Sequence, residues 1–255
     1  MYPIIVVFII SLCLASFFHT LAVRLVDSSS DTLWQKLTVP SRCDHCLKKL
    51  SPLYLIPLAG YFFAKGRCRH CAASISPVYP VIEIVYALAM VQLYMTKGGI
   101  TAESILYMAA LSSAAAVTAA DLKSMLIPDF FVLTMALSGA GLIYIRHNPL
   151  NAIWGALFLF GVFLLIVLFL PGSFGFGDAK YAAAIGLVAG FQGAVIVLES
   201  ALIIGSLCGI AYALITRKGI RIRIPFAPFL SAGLYIAVFY EKEILLMYQS
   251  VFYNF

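Results

Sequence analysis

The sequence predicts an all-α polytopic membrane protein of about eight transmembrane helices, with one cytoplasmic loop that carries two cysteine pairs. Three observations predict it. Hydrophobic residues make up 63% of the 255-residue chain and charged ones only 11%, with a mean hydropathy of +1.00. A soluble domain carries roughly 25% charged residues, so polar surface is too scarce for a water-soluble fold. Apolar runs recur along the chain, most of them near the roughly 20 residues needed to cross a hydrocarbon core. The basic residues fall almost entirely into alternate connections between those runs.

Spans are expected near 3–25, 78–96, 102–120, 127–146, 151–171, 179–191, 193–216 and 225–240. The sixth is short, and its boundary with the seventh is placed at Gln192–Gly193. Backbone in lipid must satisfy its own hydrogen bonds, so the spans are helices. The first span lacks a basic flank at its start, has a long apolar run and meets no small-x-small site before the polar loop. It therefore reads as a retained helix, not a cleaved signal peptide.

The net charge of +6 raises nucleic acid as a partner, and sorting the cations by side removes it. One side collects Arg24, Lys36, Arg42, Lys48, Lys49, Lys65, Arg67, Arg69, Lys123, Lys180, Arg217, Lys218, Arg221 and Arg223. The other holds Lys97, Arg146 and Lys242. The positive-inside rule makes the crowded side cytoplasmic, with both termini outside. The expected organisation is a first transmembrane helix (1–25), a cytoplasmic loop (26–77) and a seven-helix membrane bundle (78–255).

Within the loop, Cys43 and Cys46 form one C-x-x-C pair and Cys68 and Cys71 a second, with 21 residues between the pairs. Four thiolates can enclose a tetrahedral zinc with no open position, which makes such a centre structural. Disulfides do not persist in the reducing cytoplasm. A loop of some fifty residues with little core needs a staple. No thioredoxin-like context surrounds either pair, so a cytoplasmic zinc-binding loop is expected. His45 and His70 sit inside the pairs and are expected to face solvent or to support the ligands. Cys13 and Cys208 lie in apolar spans and read as small packing residues.

The chain has only eleven acids. An Asp at the centre of a span costs roughly 2.5–3.5 kcal/mol, so acids in spans are functional candidates. Asp121 closes the third span and Asp178 opens the sixth, in "GFGDAK". Two spans separate them, so both lie at the cytoplasmic face, where they can meet. Two carboxylates in contact do not ionise independently. Together they suit aspartic-protease chemistry, one as base toward water and one as acid toward a peptide carbonyl. Gly175 and Gly177 then offer close backbone approach to a substrate strand and dihedrals barred to other residues. The plainer reading makes Asp178 and Asp129 caps of helix N-termini.

Six stretches, "CDHC", "GRCRHC", "ISPVYPVIE", "DLKSMLIPD", "GFGDAK" and "IPFAPFL", stand in an order that resembles the type IV prepilin peptidase family. The resemblance implies a G-x-G-D-type intramembrane aspartic endopeptidase. Such enzymes cut the basic leader from prepilins and pseudopilins after a glycine, at the cytoplasmic face of the bacterial inner membrane. It implies catalytic roles for Asp121 and Asp178, with Gly175, Gly177, Asp129, Lys180 and Glu83 as motif support. It implies zinc on Cys43, Cys46, Cys68 and Cys71. Members with the cysteine loop commonly also N-methylate the new terminus with S-adenosylmethionine and serve pilus or type II secretion assembly. Two departures bear on this. His19 stands where relatives often carry Asn and is expected to make the same hydrogen bond, and Lys123 replaces a second acid common in the family. A peptidase without methyltransferase activity is therefore kept open beside the bifunctional reading.

Other residues have two readings each. Glu83 pairs with a cytoplasmic base or receives a substrate amine, and Asp44 is a second candidate to receive the basic leader. Lys180 meets the Asp178 carboxylate or snorkels to the interface. Glu199 matches no motif. The fourteen tyrosines read mostly as interface anchors and bundle packing. A transporter using the acids as a relay is disfavoured by their place at one face and by the lack of a repeat. A scaffold built on the zinc loop is the remaining rival.

Overall fold

A computed structural model describes residues 2–26, 32–170, 174–216 and 224–252. Arg217, Lys218, Arg221 and Arg223 of the charge asymmetry lie outside the described residues, as do residues 171–173 of the turn before Asp178. The long helices are α1 (Tyr2–Val26), α4 (Val78–Thr96), α5 (Ala102–Ser124), α6 (Asp129–Arg146), α7 (Pro149–Phe169), α8 (Phe176–Thr216) and α9 (Ala227–Phe252). Between α1 and α4 lie two short helices, α2 (Leu33–Thr38) and α3 (Ala59–Phe63), and a 3-10 turn at Pro52–Leu55. The described residues contain no sheet, only the isolated bridges Arg42–Lys49 and Arg67–Ser74.

Helix α5 is the centre of the bundle and packs on α1, α4, α6 and α9. Its run of Ala and Ser leaves little side-chain bulk, which lets neighbouring backbones come close. It runs to Ser124 and ends on Met125 in the left-handed conformation (φ 54, ψ 35). Asp121 thus lies inside the last turn, not beyond the helix. Helix α6 begins at Asp129, two residues later than expected, because Pro128 is its N-cap and restricts the residue before it.

Helix α8 is 41 residues long, about 62 Å if straight, roughly twice a hydrocarbon core. It is not straight. Gly190 has φ 73 and ψ 180, and the chain doubles back there. Phe226 shows the fold-back: its ring packs 4.8 Å from Phe174, before α8, and a β-carbon at Gly205 would lie 3.2 Å from the same ring. Thirty-one residues of straight helix would hold those two positions about 46 Å apart. Asn151 accepts the Phe191 N–H at 3.0 Å, so a side chain replaces the helical bond lost at the break. The expected boundary at Gln192–Gly193 therefore moves to Gly190, the residue that tolerates a positive φ.

Among the described residues, six helices are long and apolar enough to cross a membrane by length and composition, with α8 taken whole. The second arm of α8 and α9 bring the rods to the expected eight. Helix α9 carries Glu241, Lys242 and Glu243 and continues to Phe252, well past the expected end at 240.

Where α7 crosses the first arm of α8, glycine meets glycine. A β-carbon at Gly155 would lie 2.5 Å from the carbonyl carbon of Gly190 and 2.6 Å from the carbonyl oxygens of Gly186 and Gly190. Gly155→Val is expected to cost about 1–3 kcal/mol through overpacking. Its thermal unfolding midpoint in detergent should fall clearly below that of Gly161→Val, since nothing lies within 4 Å of a β-carbon at Gly161. Equal midpoints would refute the close crossing.

Candidate active site and cysteine centre

Asp121 and Asp178 arrive at one end of the bundle from different helices and stand within electrostatic reach of each other. Each rests on a helix N-terminus. The Asp121 carboxylate, 4% exposed, accepts the Ala227 N–H at 3.0 Å and also the Phe226 N–H. Those groups open α9, where unpaired donors and the helix dipole favour an acceptor with negative charge. The Asp178 carboxylate is partly buried and accepts the Gly175 N–H at 2.9 Å, while the Asp178 N–H donates to the Gly175 carbonyl at 3.0 Å. The capping reading of Asp178 thus describes its local hydrogen bond, and Asp121 caps a second helix far away in sequence.

Behind the pair runs a hydroxyl chain. Thr118, one turn before Asp121, donates to Ser231 Oγ at 2.9 Å. Tyr181, one turn after Asp178, lies 2.7 Å from the same oxygen, and its side chain is fully buried. Ser231 itself stands within 2.9 Å of the Ala227 carbonyl. Three helices are thereby fastened directly behind the carboxylates. Sequence reading missed Thr118, Tyr181 and Ser231. The first two were findable as the helical neighbours three residues from each Asp. Ser231 was not, because α9 joins the site only in space. The rings of Phe163, Phe174 and Phe226 pack on one another and hold the approach to Gly175 against the start of α9.

Gly175 and Gly177 do not have positive φ, so no barred dihedral explains them. A β-carbon at Gly175 would meet the Asp178 carboxylate oxygen at 3.6 Å, and one at Gly177 would meet Ile127 at 3.5 Å, both ordinary contacts. Neither glycine is required by its backbone angle or by a close contact, and Gly175 serves through its N–H, which the Asp178 carboxylate accepts.

The remaining predicted residues are placed as follows. Lys180 pairs with Asp129 and ties α8 to α6, instead of meeting Asp178. Both partners are well exposed, so this pair contributes at most about 1 kcal/mol. Glu83 is 8% exposed and accepts the Leu58 N–H at 2.8 Å, which anchors the loop to α4 through backbone, not through a base. Asp44 pairs with Lys123 at 2.9 Å, joining the first cysteine turn to α5 just past Asp121. His19 is buried and stacks on Tyr79 with ring centroids 4.3 Å apart. Its Nδ1 has no partner among the described residues, so the hydrogen bond expected of it is not made there. Glu199 accepts from the Tyr248 hydroxyl and links α8 to α9. Cys13 and Cys208 are exposed on their helices, not packed inside as expected.

The four loop cysteines converge, with all sulfurs within 4.8 Å of one another. Cys43 and Cys71 are 3.7 Å apart and Cys46 and Cys68 4.0 Å apart. A tetrahedron with bonds of about 2.3 Å has edges of about 3.8 Å, so the cluster fits a four-coordinate zinc. The two turns are built alike. The Cys43 N–H donates to the Lys48 carbonyl and the Leu47 N–H to the Cys43 carbonyl. In the second turn Cys68 pairs with Ala73 and Ala72 with Cys68 in the same pattern. Leu47 and Ala72 take the left-handed conformation at matching positions (φ 58 and 57). The Cys71 and His70 N–H groups hold the Cys68 thiol down at about 6, ready as a thiolate ligand. Cys71 is held up at about 11, despite the Ala73 N–H, by partial desolvation and its three sulfur neighbours. Four thiolates at this spacing need a cation among them. His45 and His70 face outward, as expected.

Together these features define a polytopic helical membrane protein with a tetra-cysteine cluster and two carboxylates at one end of the bundle. The family model for the bacterial Peptidase A24 N-terminal domain matches residues 9–97, and that of the type IV leader peptidase family matches residues 105–214. A prepilin leader peptidase/N-methyltransferase of Bacillus subtilis (strain 168) is 31% identical over 249 residues, covering 95% of this chain and 96% of the relative. The protein of the same name from Aeromonas hydrophila is 31% identical over 237 residues, covering 89% and 80%. A type 4 prepilin-like proteins leader peptide-processing enzyme of Escherichia coli O78:H11 is 31% identical over 203 residues, covering 76% and 72%. No solved structure matches. The chain belongs to the type IV prepilin leader peptidase family, a bacterial family of multi-pass membrane enzymes that process type IV prepilins.

Proposed function

We propose that this chain is an aspartic endopeptidase that cuts the basic leader from prepilins or pseudopilins after a glycine, using Asp121 and Asp178. The single observation that carries this reading is the convergence of the two carboxylates from separate helices, each held at a helix N-terminus. One carboxylate takes a proton from water as it attacks the scissile carbonyl. The other, protonated, polarises that carbonyl and then protonates the leaving amine. The backbone at Gly175 and Gly177, free of side chains, faces the substrate strand. The substrate's apolar helix lies among the spans and its leader in the cytoplasm. This places the site at the cytoplasmic face of the inner membrane, with both termini periplasmic. The bundle of residues 78–255 carries hydrolysis, and the loop of residues 26–77 stands beside it.

Cys43, Cys46, Cys68 and Cys71 would hold a structural zinc, which closes the loop and takes no part in hydrolysis. The relatives' second name supports N-methylation of the new terminus as a further activity, with S-adenosylmethionine as donor. The pilus or type II secretion machinery takes the processed product.

The experiment is cleavage of a cognate prepilin in membranes holding this enzyme, with the new N-terminus read by mass. Loss of the leader after glycine with one added methyl is the expected product. A trimmed product without the methyl leaves a peptidase alone. Intact substrate beside a properly inserted enzyme refutes the assignment.

A further inference from the structure

The loop between α1 and α4 is not uniformly polar. Between Lys49 and Lys65 run fifteen residues, 50–64, without a charged side chain: "LSPLYLIPLAGYFFA". That run is too short to span a bilayer and has the length of a re-entrant or interfacial segment. Its large apolar side chains are not folded inward. Leu53, Leu55, Ile56, Phe62 and Phe63 are 42 to 68% exposed. Five such groups facing water in one short segment would be an unusual apolar patch.

The flanks are basic. Arg42, Lys48 and Lys49 sit on the first cysteine turn, and Lys65, Arg67 and Arg69 lead into the second. The acid nearest them, Asp44, is held by Lys123. The anchors of the segment point into the bundle. The Leu58 N–H donates to Glu83, five residues and about 7 Å along α4 from its start. Leu55 and Pro57 form one wall of a cavity of about 440 Å³, whose opposite wall is the face of α1 with Cys13, Ser16, Phe17 and Thr20. The segment also satisfies much of its own backbone. The N–H groups of Tyr54, Leu58, Ala59, Gly60, Tyr61 and Phe62 all have partners, and Pro52 and Pro57 have none to satisfy. That economy suits a region where water is scarce.

We propose that residues 50–64 form an apolar tongue sunk into the headgroup–acyl boundary of an anionic bilayer leaflet, with the two cysteine turns as its basic base at the phosphates. Lys and Arg near an anionic surface contribute about 1 kcal/mol each, and apolar side chains insert below them. The tetra-cysteine cluster then joins the two ends of the tongue at the membrane surface.

The test uses the whole chain in nanodiscs. The two native tryptophans are removed as Trp34→Phe and Trp154→Phe, and a single probe is placed as Phe62→Trp or, independently, Leu53→Trp. Lys48→Trp marks the base. Circular dichroism checks that helix content is retained. Lipids brominated on the acyl chain are expected to quench the tongue probes at least about twofold more than the Lys48→Trp probe, as for a ring sunk ~5–10 Å below the headgroups. Acrylamide should do the reverse. Quenching should weaken when phosphatidylglycerol is replaced by phosphatidylcholine, and equal quenching in the two bilayers overturns the part given to the basic flanks. Tongue probes open to acrylamide and indifferent to brominated lipid overturn the proposal in favour of a water-facing loop. Probes shielded from both quenchers overturn it in favour of a second copy of the chain.

Discussion

Asp121→Asn and Asp178→Asn each leave prepilin uncut, with turnover lower by about two to four orders of magnitude, the usual weight of a positioned acid–base group. Asparagine is the informative replacement because of what each carboxylate does locally. At 121 its amide oxygen can still accept the N–H groups of Ala227 and Phe226, so the start of α9 stays capped. At 178 it can still accept the Gly175 N–H. Shape and capping are kept while the proton chemistry is lost. Alanine removes both, and the orphaned donors cost about 0.5–2 kcal/mol besides. The double Asn variant is expected to be no worse than the weaker single one, because the two groups act as a unit. Rates come from quantified product at equal amounts of inserted enzyme. An Asn variant that cuts at the parental rate would return that aspartate to a purely capping role.

Replacing any one of Cys43, Cys46, Cys68 or Cys71 by Ser is expected to abolish binding of the zinc proposed for the cluster and to open the loop, while the membrane bundle keeps its helices. Structural zinc contributes about 10–16 kcal/mol in small zinc-dependent peptides, far more than the hydrogen bonds of two short turns supply. The readouts are metal content after purification and tryptic cutting at Lys48, Lys49, Lys65 and Arg67. All four variants should lose metal and become sensitive to trypsin, whereas Cys13→Ser and Cys208→Ser should do neither, since those thiols are not part of the cluster. Acid acts in the same direction. Cys68 is depressed from 9.0 to about 6 in the folded loop by backbone N–H groups. The stability this thiolate contributes is complete above its ordinary value and is lost as pH falls through about 6. A loop that stays closed in a Cys68→Ser variant would refute the staple.

Much of the architecture was legible along the chain because lipid leaves the backbone few options. An apolar run of about 20 residues must be a helix. The cysteine cluster was legible for a similar reason, since two C-x-x-C turns offer four soft ligands in one loop. Parity along the chain brought Asp121 and Asp178 to the same end. It could not say what holds them, because Ala227, Phe226 and Ser231 come from a helix more than a hundred residues beyond Asp121. The partners that Lys180 and Glu83 take in the fold could not be read along the chain for the same reason. A charged side chain in a bundle takes whichever partner the helix crossing presents, here Asp129 and the Leu58 backbone. Gly190 shows the division most clearly. Hydropathy alone marks a long apolar stretch and a break near residue 192, since helix and turn are equally apolar there. Helix crossings settle the exact residue: Gly155 takes the space beside Gly186 and Gly190, Asn151 receives the freed N–H, and only a glycine accepts the backbone angle that results. Local composition chose the elements, and packing between distant segments chose their partners, because contact energies depend on which surfaces meet and a linear pattern does not encode that meeting.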